Sequence, residues 1–559
     1  MTRLTCIVLI AAVALAALCG CGGTISGDGS GSMHLENRST SGASEPDEHT
    51  GRDERIGRDD VIIGFPHIPN HFDPVLGFSG SGHYGALLIF SSLVRVDADM
   101  NIQPYLAESY SISEDALIYT FNLRTDAKFT DETSVTADDV VFTFQTIMDS
   151  VSPIDLSSAE SIKSEGDSVI ITLKQPQSTF ILTVAATGIV PEHAYGPDFG
   201  IAPIGSGPYK LASHDVDQQF ILEANEAYFG SIPAIRRAVF VKMTEEDTQL
   251  AAVTAGTVDI TMTGAVLAAI NKFEDYNLMA VESVDNMGIV MPTIPAVDEP
   301  NQFGAPVGNN ITADIDFRKA IAYGVDRYEI GRVVLNDFAT PAYSENDGLP
   351  WSNPESKIET DIDYAVSLLE DLGWILAEGG IREKDGVRAS LPLLYTAGDS
   401  VRQAVAMSVA QQARENLGIE FIVEGASWDE ISSRMFSEPL ILAWGSSNPM
   451  TSFYLFHSSR AGLDDFYNPQ NFRSNTVDRY LEQAVASRTL EEAIPYFQMA
   501  QWDGSTGTSM RGYCPYIFLI NRTHLYWVRD GLDTGRRKVH AHGDAWPLVS
   551  NLYEWQWAE

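Results

Sequence analysis

Residues 89–148 read IFSSLVRVDADMNIQPYLAESYSISEDALIYTFNLRTDAKFTDETSVTADDVVFTFQTIM. Within them Leu117, Tyr119, Phe121 and Leu123 alternate with Ile118, Thr120, Asn122 and Arg124. A period of two predicts a strand with one apolar face. Phe129 and an Asp131-Glu132 turn follow, and Thr136-Ala137-Asp138-Asp139 opens a helix. The Thr136 hydroxyl suits the free amides of the first turn, and the two aspartates sit at the positive end of the helix dipole. Val140, Phe144 and Ile147, spaced four and three apart, form the stripe that such a helix buries.

Other stretches extend the pattern in both directions. Val61-Ile62-Ile63-Gly64-Phe65 is an apolar run suited to a buried strand, and a glycine-rich loop, Gly77 to Gly85, follows Phe72-Asp73-Pro74. Its Gly80-Ser81-Gly82-His83-Tyr84-Gly85 has the GxGxxG spacing of a dinucleotide site. No strand immediately precedes it, and the next acids, Asp97 and Asp99, lie in a turn, so that reading is rejected. Gly205-Ser206-Gly207-Pro208-Tyr209 predicts a sharp turn feeding the strand Phe220–Ala224. In 315–327, Phe317, Ala320, Ile321 and Gly324 share one helical face, with charges expected on the other. Leu391–Leu394 and Ile419–Val423 bracket a further helix, the strand–helix alternation of an α/β fold.

The segment LVRVDADMNIQPYLAESYSISEDALIYTFNLR, with KFTDETSVTADDVVFTF after it, resembles the signature region of the extracellular solute-binding proteins of peptide/nickel ABC importers, solute-binding family 5. Further segments resemble the family in the family's order: GIVPEHAY, GSGPY, Asn225–Gly230 as N-x-x-Y-[WF]-G, Ala255–Ile260 as G-x-[VA]-D-[IL], Ile315–Arg327, and Asp363–Trp374. The resemblance implies a two-lobed α/β fold of the periplasmic-binding-protein kind (type II, large cluster). Lobe one spans about 60–310, with a small subdomain at about 105–200; lobe two spans 311–519; and 520–559 returns to complete lobe one. A ligand cleft between the lobes is implied. So are a small solute, a peptide first, as ligand, an ABC permease and its ATPase as partners, and a monomer. A metal chelate such as nickel is the alternative cargo within the family.

Composition agrees with an extracytoplasmic protein. The 559 residues are 44% hydrophobic, enough for more than one core. Against 76 acidic residues stand 36 basic ones, a formal charge of −40, which repels nucleic acid and anionic head groups. Arg3, the apolar Ile7–Leu18 and Leu18-Cys19-Gly20-Cys21 read as a signal peptide over 1–20 ending in a lipobox. Cys21 is then the lipidated residue, anchoring the chain to the bacterial cell membrane through lipid alone. Residues 21–59, almost devoid of apolar side chains, read as a flexible tether. Cys514 is then the sole remaining thiol and is expected to be a small buried residue.

No HExxH, GxSxG, Walker loop or CxxC occurs in the mature chain, so neither catalysis nor a cofactor is expected. His540-Ala541-His542 is the one closely spaced histidine pair; two imidazoles without a third ligand read as an exposed C-terminal turn, and no metal is assigned. A lipid-anchored enzyme or a sensory lipoprotein are the readings of another class.

The resemblance places the glycine-rich loop on the cleft wall, making Phe78, Ser79, Ser81, His83 and Tyr84 candidate ligand contacts. From lobe two come Trp444, Ser446, Ser447 and Asn448, at the end of the strand Leu440–Trp444. Trp444 suits stacking on a ligand and plugging the core equally. In peptide-binding members the loop after this tryptophan carries an aspartate for the peptide's ammonium; here Ser447 stands at that place. The loop after the preceding strand, Tyr395–Ser400, holds no arginine before Arg402. A buried zwitterion without partners is costly. The wall therefore suits a peptide backbone or another neutral polar group, unless a carboxylate from elsewhere in the cleft receives an amine.

Overall fold

The computed structural model describes residues 58–76, 86–152, 154–463, 466–541 and 546–558. Two large sheets dominate. The first has the spatial order 276–281, 524–529, 260–263, 60–65, 237–242, 219–224, 209–215. Strand Asp60–Phe65 runs parallel to both its neighbours, Arg237–Lys242 and Ile260–Thr263, while the remaining pairs are antiparallel. The second sheet has the order 339–341, 516–522, 286–290, 440–444, 390–396, 420–426. Strands Ser390–Thr396 and Glu420–Ala426 are parallel and are joined by helix Ser400–Gln412, as the alternation of their apolar runs requires.

A four-stranded antiparallel sheet, 107–112, 118–123, 168–173, 159–165, is inserted between strands of the first. Tyr119, Phe121 and Leu123 are its buried face. Helix Ala137–Asp149 packs on it through Val140, Phe144 and Ile147, all buried. Thr136 and Asp139 form a reciprocal capping box at its start: Thr136 Oγ1 accepts from the Asp139 amide, and the Asp139 carboxylate accepts from the Thr136 amide.

Four expectations are corrected. The Gly205–Tyr209 segment leads first into strand Tyr209–Asp215, which pairs antiparallel with Gln219–Ala224. Its glycines serve close approach: a Cβ on Gly205 would lie 2.0 Å from the Ile89 carbonyl oxygen, and one on Gly207 2.6 Å from that of Leu88. Arg318 and Arg327 are buried instead of facing water. Arg318 donates to the carbonyls of Thr312, Tyr513 and Cys514, and Arg327 to those of Ala322 and Phe518, so main-chain oxygens about 190 positions away solvate both guanidiniums. The neighbouring Asp326 caps helix Arg327–Leu335. Strand Asn286–Val290 belongs to the second sheet, although it precedes residue 310. It is buried on both faces, between strands 440–444 and 516–522. Lastly, His540 is fully buried, not part of an exposed turn.

Candidate functional site

The chain passes between the two sheets twice. Residues 282–285 connect strand Tyr276–Val281 to strand Asn286–Val290, and Thr523 alone separates Tyr516–Arg522 from His524–Arg529. These crossings are laced together. The Val284 amide donates to the His540 carbonyl (2.8 Å) and the Arg522 amide to the Asp285 carbonyl (2.9 Å), while the Ser283 hydroxyl donates to the Arg522 carbonyl. Buried Asp285 lies 3.4 Å from the His524 ring nitrogen and 3.7 Å from Arg522. The His540 ring packs 5.1 Å from that of His524, and burial depresses its basicity well below that of free histidine. His542 lies outside the described residues, and among those described no group of three or more His, Cys, Asp or Glu is placed to hold a metal ion.

The end of strand Leu440–Trp444 abuts the first crossing. A Cβ on Gly445 would sit 2.2 Å from the Val284 carbonyl oxygen, so only glycine lets the 445–449 loop leave the sheet here. Trp444 is half-buried, and its indole stacks on Tyr467 (centroids 4.8 Å apart, planes at 19°), which in turn contacts Tyr454 (5.0 Å). The Arg460 guanidinium lies over Tyr454 at 5.4 Å. The indole Nε1 is buried and meets no acceptor among the described residues. Ser446 Oγ accepts from the Asn448 amide, and Asn448 Oδ1 from the Met450 amide. Those two side chains thus shape the turn into helix Met450–Phe456; Ser447 is half-buried beside them. Phe78, Ser79, Ser81, His83 and Tyr84 lie outside the described residues, as does Cys21.

Arg402 donates to Thr396 Oγ1 (2.7 Å) and pairs with Asp399 (3.3 Å), and its guanidinium faces the Trp428 ring at 5.6 Å. Cys514 is buried, with its thiol pushed up to about 11 by desolvation.

Behind Trp444 lies a polar group that pattern reading did not single out. Asn286 is in register with Trp444 on one side and Asn521 on the other, in antiparallel pairs, so all three side chains share a face. Asn521 Nδ2 donates to Asp347 (3.1 Å), and Asp347 also accepts from Ser344 and the Tyr343 amide. Asn346 Nδ2 donates to Glu345 Oε1 (3.0 Å) and to Ser452 Oγ (2.9 Å), and Ser452 itself donates to Glu345 Oε1. Burial lifts the Glu345 carboxyl to about 7, opposed by the Ser452 hydrogen bond. The only signal for it in the sequence is the acid–amide–acid run Glu345-Asn346-Asp347, which has no periodicity to mark it as buried.

A family model described as bacterial extracellular solute-binding proteins, family 5 Middle, matches residues 101–464. Protein XP55 of Streptomyces lividans is 30% identical over 497 residues, 85% of each chain. The oligopeptide-binding protein AppA of Bacillus subtilis (strain 168) is 26% identical over 428 residues, 72% of this chain and 76% of that one. Among solved structures, NikZ from Campylobacter jejuni in complex with Ni(L-His) superposes with a TM-score of 0.70, covering 89% of this chain and 99% of that one at 23% identity, a likeness of fold.

Proposed function

The chain belongs to the bacterial extracellular solute-binding proteins of family 5, and from that premise we propose that it captures a peptide or a related small solute outside the membrane and delivers it to an ABC permease. It is a solute-binding receptor with the two-lobed α/β fold of its family. Each large sheet forms the centre of one lobe, and the solute lies between them. Lobe one is discontinuous, closed by the returning C-terminal segment.

The observation that carries this reading is the pair of short crossings at 282–285 and Thr523, because two adjacent main-chain links let one sheet rotate against the other while both stay intact. The peptide class is supported by the likeness to an oligopeptide-binding protein. Trp444 and Ser447 form lobe two's wall in this reading, with Ser446 and Asn448 holding the turn. The glycine-rich loop with Phe78, Ser79, Ser81, His83 and Tyr84 forms the opposing wall. Cys21 carries the lipid that tethers the receptor as a monomer to the membrane.

Native mass spectrometry of the purified protein tests the proposal. A mass excess that unfolding releases, sequenced as a peptide, is the expected result. A retained non-peptide solute overturns the peptide class. A protein that neither retains a solute nor gains stability from pooled peptides overturns the receptor assignment for peptides altogether.

A further inference from the structure

The turn 343–347 hangs between strand Tyr516–Arg522 and helix Met450–Phe456, tied to the first through Asp347–Asn521 and to the second through Glu345 and Asn346 on Ser452. Glu345, Asn346, Ser452 and Asn521 are all less than 4% exposed. The side-chain donors in this cluster are committed: Ser452 Oγ to Glu345, Asn346 Nδ2 to Glu345 and Ser452, and Asn521 Nδ2 to Asp347. Three acceptors remain. Glu345 Oε2, Asn346 Oδ1 and Asn521 Oδ1 are buried with no donor among the described residues. No Lys, Arg or His among the described residues makes an ion pair with Glu345 or Asp347.

One carboxylate oxygen and two amide oxygens of the same hydrogen-bonded cluster, each buried without a donor among the described residues, make an incomplete arrangement. Each unmet acceptor costs about 1–3 kcal/mol. Protonating Glu345 turns Oε2 into a donor for one amide oxygen and leaves the other unmet. An alkylammonium supplies three N–H donors and no acceptor, and it compensates the carboxylate charge as well. Because the Asn521 side chain shares the face of Trp444, and Ser452 lies in the helix that follows the 445–449 loop, the cluster adjoins the wall assigned to the solute.

We propose that Glu345, with the side-chain oxygens of Asn346 and Asn521, forms a subsite for an alkylammonium group of the bound solute. This deepens the receptor reading and rests on it. The amine is received behind Trp444, not at Ser447, so the neutral 446–448 turn and the recognition of an amine-bearing solute are compatible. Glu345 is the specificity-determining residue, giving its proton to solvent as the cation enters.

The test uses the full chain with methylammonium chloride as probe. Tetramethylammonium chloride, of equal charge but without N–H donors, is the control. Infrared difference spectra at neutral pH follow the carboxylic-acid carbonyl band, assigned to Glu345 by its absence in Glu345→Gln. Methylammonium is expected to remove that band in the wild type, and tetramethylammonium to leave it. Glu345→Gln, checked for folding by near-ultraviolet circular dichroism, is expected to bind methylammonium about tenfold more weakly, equivalent to about 1.4 kcal/mol. Equal effects of the two cations on the wild type, or equal methylammonium affinity in the variant, overturn the subsite. If the glutamine variant does not fold, Glu345→Asp, which keeps the acid but moves its carbonyl band, makes the assignment, and the wild-type comparison of the two cations then decides the matter. If methylammonium engages Glu345 but no solute or permease dependence is found, the receptor reading falls and the subsite stands. A retained solute with an unresponsive Glu345 sinks the subsite alone.

Discussion

Asp259 and Arg529, 270 positions apart, meet with the carboxylate 2.7 Å from the guanidinium Nε. Asp259 is almost fully buried, and it also accepts from both terminal nitrogens of Arg58 and from the Ile62 amide. One side chain thus ties the edge of the first strand, the entrance to strand Ile260–Thr263 and the returning strand His524–Arg529. Replacing Asp259 with Ala leaves Arg58 with Asp60 alone and Arg529 with the Gly256 and Val258 carbonyls and the Tyr276 hydroxyl, removes the shared counter-charge of both, and is expected to cost about 3 kcal/mol. Urea denaturation of the two proteins measures it; a loss within experimental error would mean that water solvates Arg58 and Arg529 equally well.

Gly205→Ala forces a methyl group against the Ile89 carbonyl and is expected to destabilise by about 2 kcal/mol. Gly196, with nothing within 4 Å of its virtual Cβ and no positive φ, is the matched control, and its alanine variant should stay within about 0.5 kcal/mol of wild type. Thermal unfolding of both variants makes the comparison.

Glu345 also gives stability a pH dependence. Its folded value of about 7 lies above the ordinary 4.5, so the native state retains a proton that the unfolded chain has lost between those pH values. Its contribution is therefore present below pH 4.5 and lost as the pH rises to 7, a change on the order of 3 kcal/mol. Glu345→Gln removes this slope. Relative to wild type the variant should gain stability from pH 5 to pH 8, and parallel urea curves at the two values would contradict the assignment.

Cys21→Ala is expected to move the protein from the membrane pellet to the soluble fraction of fractionated cells. Continued sedimentation with membranes, or unchanged labelling by a fatty-acid probe, counts against lipidation at that residue.

Much of the fold was legible because local pattern and final burial agree. The alternation at Tyr119, Phe121 and Leu123 and the Thr136 cap are decided by neighbours within a few residues, and both appear as read. Charges were harder. Arg318 and Arg327 read as solvent-facing because, beside local carbonyls such as Thr312 and Ala322, the acceptors that bury them are the carbonyls of Tyr513, Cys514 and Phe518, too distant for any window to connect. His540 is buried by a crossing whose other half lies near residue 283. Trp444 was legible as the end of an apolar strand, whereas Tyr454 and Tyr467 reach its surroundings only through tertiary packing.

Strand His524–Arg529 occupies an interior position in the first sheet, between Tyr276–Val281 and Ile260–Thr263. That placement sets a timetable for biosynthesis. A ribosome making this chain from its N-terminus has produced strands 60–65, 209–215, 219–224, 237–242, 260–263 and 276–281 long before the strand that sits among them exists. The sheet therefore has an unfilled slot until nearly the whole polypeptide has emerged, and the earlier segments cannot complete their native pairing on their own. Strands Ile260–Thr263 and Tyr276–Val281 thus gain their shared neighbour only after residue 529 has been made.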